Sequence, residues 1–102
     1  MDTVPPGGRM KRITELLQTC EAMPSQWEGS TEDGECVYIR YRGGQGRIGF
    51  GQDLHEAVLA KGYFTWEGDD YLDGYITLKE IQQMLAEQNV DITFGPAIQF
   101  EE

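Results

Sequence analysis

MKRITELLQTCEAM, residues 10–23, is the stretch on which the fold turns, because its apolar residues follow a helical period. Met10, Ile13, Leu16, Leu17, Cys20 and Met23 recur mostly at intervals of three and four, which lines side chains along one stripe of an α-helix. Lys11, Arg12, Glu15, Gln18 and Glu21 then turn mostly to water. The spacing predicts a helix over 10–23, stopped by Pro24, whose ring clashes with the preceding turn and which has no backbone N–H to give. Cys20 lies on the apolar stripe and is expected to pack as a small hydrophobe. Upstream, MDTVPPGGR (1–9) holds two prolines, two glycines and almost nothing to bury. It reads as a flexible lead-in or extension, so the folded domain is expected to span 10–102.

Beyond Pro24 the period changes. In ECVYIRYR (35–42) Val37, Ile39 and Tyr41 alternate with Cys36, Tyr38, Arg40 and Arg42, as in a half-buried strand. Glycine-bearing turns at TEDG (31–34) and GGQG (43–46) flank it, so strands around 26–30, 35–42 and 47–51 are expected to form an antiparallel meander. Val37, Ile39, Ile48 and Phe50 are assigned to the core. Asp53 followed by Glu56 marks a helix start, Leu54, Ala57, Val58 and Leu59 its apolar side, and Gly62 its expected end. Tyr63–Trp66 reads as a short extended segment. Leu78, Ile81, Met84 and Leu85 define a further helix to about Asn89, and Val90, Ile92 and Phe94 a last strand before Gly95-Pro96. The expected fold is α+β, a single small domain with three helices on a mostly antiparallel sheet, the meander plus one or two further strands, in the order αβββαβαβ.

Composition excludes several classes. At 102 residues the chain makes one domain, and it has no apolar run near the roughly 18 residues of a membrane span. Without an apolar leader in the first residues a cytoplasmic location is expected. Cys20 and Cys36 form no CxxC pair, and with His55 they give only three scattered metal ligands, where structural zinc takes four. Charge is distributed unevenly. Residues 1–50 carry six Lys/Arg against seven acids, and residues 51–102 carry two against eleven, so −9 of the net −10 belongs to the second half. Such a field repels nucleic acid and anionic membrane and attracts basic surfaces or cations.

DDYLDGYITLKE, residues 69–80, resembles the calcium loop of the EF-hand family over these twelve positions. Asp69, Asp73, Thr77 and Glu80 fall at loop positions 1, 5, 9 and 12, and Gly74 falls at position 6. Tyr71 departs from the pattern at the third position, and no entering helix or second loop accompanies it. Metal-free chemistry accounts for the same residues. Thr77 and Glu80 have the spacing of a capping box, Gly74 suits a turn, and Asp69, Asp70 and Asp73 lie ahead of a helix N-terminus, where negative charge is favoured.

Three further readings concern binding. Tyr38, Arg40 and Arg42, with Arg47 across the hairpin, form a basic–aromatic strand face suited to a phosphate or a stacked base. Its plain alternative is a solvated face whose arginines lie on tyrosine rings and pair with Glu28 or Glu35. No covalent catalytic set emerges, since nothing brings His55 to Cys20 or Cys36 and the carboxylates look solvated, so no enzyme and no cofactor are expected. The acidic second half gives the leading expectation. Glu56, Glu67, Asp69, Asp70, Asp73, Glu80, Glu87 and Asp91 would share one surface, rimmed by Tyr63, Trp66, Tyr71 and Tyr75, if the two later helices lay side by side. Acidic groups with aromatic anchors suit docking on a basic, nucleic-acid-binding protein, centred on Trp66, Glu67, Asp69, Asp70, Tyr71, Asp73, Tyr75 and Glu80. In size and charge the chain looks like small phage or mobile-element inhibitors of the anti-restriction or anti-CRISPR kind, or a nuclease-immunity protein, that mimic phosphate spacing. A cation-binding 69–80 loop is the alternative.

Overall fold

Alternation through residues 36–51 builds the centre of one sheet. The computed structural model describes residues 11–22, 24–60, 63–68 and 75–100. Its elements are β1 (Lys11–Cys20), β2 (Ser25–Thr31), β3 (Cys36–Arg42), β4 (Gln45–Gly51), α1 (Leu54–Leu59), β5 (Phe64–Glu67), α2 (Leu78–Glu87) and β6 (Ile92–Phe94). The six strands lie in the order β5-β4-β3-β2-β1-β6. The pairs from β1 through β5 are antiparallel, while β6 runs parallel to β1 (Lys11 beside Ile92, Ile13 beside Phe94). The β3–β4 turn has Gly43 and Gly44 at φ of 64° and 75°, the doubly left-handed turn that matches strand twist.

The expected helix over 10–23 is not there, and its absence corrects the fold class. Residues 11–20 are the longest strand of a curled mixed sheet, and the described residues hold two helices rather than three. Strand takes 47% of the structure against 20% helix, so sheet rather than helix dominates. The order is ββββαβαβ, not αβββαβαβ. Two register shifts explain the misleading period. β1 pairs Ile13 with Thr31 and then Glu15 with Ser30, and slips again between Gln18 and Cys20. Each bulge inserts one residue and inverts the alternation. Ile13 and Leu16 therefore point to the same face at a spacing of three, which imitates an i, i+3 helical pair. Leu16 packs against the core, whereas Leu17 is turned outward and is 70% exposed. Cys20, expected on the buried stripe, is only half-buried, and its Sγ lies 3.5 Å from the Ala22 carbonyl.

Ile13, Trp27, Val37, Ile39 and Ile48 cover one face of the sheet and are buried with Leu78, Ile81 and Leu85 of α2. Phe50 joins this core from the same face, half-buried. α1 lies on the other face, where Gly49 and Gly51 bring the α1 backbone at Glu56 and Ala57 into contact with β4. The helix ends at Leu59 with Ala60 as its cap; the expected terminator, Gly62, lies outside the described residues, as do residues 1–9. The curl brings together the two chain segments that lead into the edge strands. Tyr63, before β5, donates its hydroxyl to both oxygens of Asp91, before β6, at 2.9 and 2.8 Å. Lys11 lies over the Phe50 and Tyr63 rings and pairs with Glu35 at 2.6 Å. Among the described residues no helix is long and apolar enough to cross a membrane.

Candidate functional site

The expected acidic surface is divided by the fold. α1 and α2 occupy opposite faces of the sheet, so Glu56 on α1 is separated from Glu80 and Glu87 on α2. Asp91 is taken up by the Tyr63 hydroxyl. Asp69, Asp70, Tyr71 and Asp73 lie outside the described residues. Of the expected anchors, Trp66 is half-buried: its ring crosses Gly46 and stacks on Tyr41 at 6.1 Å and 8°, with Phe64 behind it. Trp66 thus belongs to the core side of the sheet. Tyr75 is 52% exposed, and Glu67 and Glu80 are exposed.

The end of the 69–80 segment has the geometry of a helix start. Thr77 Oγ1 accepts the Glu80 N–H at 3.1 Å, and Glu80 Oε1 accepts the Thr77 N–H at 3.0 Å, a complete capping box. Thr77 Oγ1 also donates to Glu80 Oε1 at 3.0 Å, so two of the four side chains the EF-hand likeness would use are engaged with each other. Among the described residues no group of three His, Cys, Asp or Glu is arranged to hold a metal ion.

The opposite balance holds on the outer face of the β3–β4–β5 edge. There Arg40 lies directly opposite Arg47, Arg42 opposite Gln45, Gln45 opposite Glu67 and Arg47 opposite Thr65. These side chains border an open groove of about 950 Å³. Arg47 is fixed: Nη1 donates to the Ala60 carbonyl at 2.8 Å, at the C-terminal end of α1, and its guanidinium lies 5.5 Å over the Tyr38 ring. Tyr38 is 5% exposed and donates to Gln26 Oε1 at 3.0 Å, so it is a floor under Arg47 rather than a stacking platform. The carboxylates expected to neutralise the arginines are elsewhere. Glu35 pairs with Lys11, and Glu28 accepts from Gln26 at 3.5 Å. Among the described residues only Lys11–Glu35 and Arg12–Glu32 are ion pairs. The sequence signal for this groove was the i, i+2 arginine spacing; what sequence did not show was that no described acid forms an ion pair with it.

Comparison with protein-family models, with curated proteins and with solved structures gives no significant match to this chain.

Proposed function

We propose that the protein is a non-enzymatic interaction protein whose acidic edge, from Glu67 to Glu80, docks on a basic surface of a nucleic-acid-binding protein. One observation carries this reading: among the described residues, no carboxylate of the second half forms an ion pair with a described cation. Both ion pairs between described residues join side chains of the first half. Glu67, Glu80 and Glu87 are exposed, and no described cation lies within salt-bridge distance of them. Net charge this far from zero raises the compact state's self-repulsion, a cost that a cationic partner relieves. Tyr75 supplies an exposed ring beside this charge, and rings of this kind anchor interfaces. Glu80 and Glu87 lie on the side of the sheet that α2 covers, whereas Glu67 shares the opposite face with Arg47 and Glu56.

The test is retention of a purified basic DNA-binding protein on the immobilised chain, eluted with an NaCl gradient. A variant with Asp69→Lys, Asp70→Lys and Asp73→Lys serves as the comparison. Retention that collapses as salt rises through the physiological range, and is lost in the variant, is expected. Retention indifferent to salt, or equal in the variant, overturns the electrostatic reading.

A further inference from the structure

We infer that the groove bordered by Arg40, Arg42 and Arg47 is a second, separate binding site, and that its ligand is a compact phosphomonoester dianion. The first argument is energetic. Like charges placed directly opposite on neighbouring strands destabilise a sheet, yet Arg40 sits across from Arg47, with Arg42 two residues along on the same face. The chain has 18 acidic residues with which to relieve this, and none of those described pairs with these arginines. The nearest cross-strand neighbours are Gln26, Gln45 and Thr65, which are neutral hydrogen-bonding groups. A local rule of sheet stability broken with no ion pair to relieve it points to a functional site.

The second argument is geometric. Strand spacing puts the roots of Arg40 and Arg42 about 7 Å apart, and the root of Arg47 about 5 Å from that of Arg40. From such a triangle the arms of Arg40 and Arg42 can reach one small anion beside Arg47, and their planar forks match phosphate oxygens. Arg47 is already oriented by the Ala60 carbonyl and the Tyr38 ring, so it lends a preorganised donor at little entropic cost. Arg42 is exposed and Arg40 half-buried, both free of ion pairs.

The third argument is charge. Three arginines and Glu67 give the groove a net of two positive charges, which matches the charge of about −1.5 to −2 of a phosphomonoester near neutral pH. At physiological salt the screening length is about 8 Å, so carboxylates on distant elements weaken contact pairing in the groove only slightly. A polyanion running beyond it would meet Glu67 and the acidic half instead. Compact ligands are therefore favoured over nucleic-acid strands.

The experiment is a titration of the ¹⁵N-labelled full chain with phenyl phosphate and inorganic phosphate at constant ionic strength. Acetate and a single-stranded oligonucleotide are the comparison ligands. Saturable shifts in the amides of Arg40–Arg47 and Thr65–Glu67 are expected with both phosphates, and none with acetate. Arg40→Gln and Arg42→Gln should each weaken phosphate binding about tenfold or more, while Arg12→Gln, on the far side of the sheet, should leave it unchanged. Arg42 is exposed, so its substitution tests the site without threatening the fold. The triple Asp→Lys variant described above should retain phosphate binding, which keeps the two proposals separable. Absence of saturation at millimolar phosphate, or affinity unchanged in Arg42→Gln, overturns the site. Oligonucleotide affinity that rises with length and exceeds that of phenyl phosphate overturns the ligand class.

Discussion

Among the described residues Tyr63 carries the clearest titration signature. Burial pushes its pKa up from 10.0 to about 12, helped by the hydrogen bond to Asp91 and by the charges of Asp91 and Glu35. Folding therefore favours the neutral phenol. That contribution is fully present below pH 10 and is lost as pH rises toward 12, where the unfolded chain has released a proton that the native chain still holds. Unfolding free energy measured by urea from neutral to alkaline pH should fall more steeply for the wild type than for Tyr63→Phe across that window; parallel curves would refute the linkage. The same residue shows what sequence can and cannot deliver. Tyr63 was legible as an aromatic at the mouth of an extended segment, whereas its partner 28 positions away was not, because only the curl of the sheet brings Asp91 to it.

Among the elements, β1 shows how a strand can imitate a helix. Its bulges depend on a close approach at Gly29: a Cβ there would collide with the Glu15 carbonyl and the Leu16 Cα. Gly29→Ala should cost roughly 1–3 kcal/mol of stability, as overpacking does, and should disturb the β1–β2 amides first. Thermal unfolding and an amide spectrum check this, and a variant as stable as wild type would show that the bulge is not tightly seated. Elements whose signals are local were readable as they stand. The α2 start rests on Thr77 and Glu80, three residues apart, and the β3–β4 hairpin on Gly43-Gly44 between alternating runs. β1 imitates a helix because its apolar spacing comes from two register slips, which are fixed by the partner strand and not by its own residues.

At the scale of the whole molecule the sheet has a protected centre and two weaker margins. β2 and β3 are paired along both edges, while β5 and β6 are short margins of four and three residues. Native-state amide exchange should be slowest in Val37–Tyr41 and markedly faster in β5 and β6; comparable protection of Phe64–Glu67 and of β3 would contradict this gradient. The margin at β5 is also where both proposed surfaces meet, since Glu67 borders the arginine groove. Local pattern sufficed for the meander, both helices with their N-caps, the buried Val37, Ile39 and Ile48, and the separation of charge along the chain, because each depends on residues within a few positions of one another. Cross-strand pairing, not local pattern, makes residues 11–20 a strand, sets the helices on opposite faces so that they divide the carboxylates, and gathers three arginines in a groove where no described acid pairs with them. Those outcomes depend on cross-strand register and on which face each crossover covers, and pairings between distant residues leave no periodic trace in the segments they join.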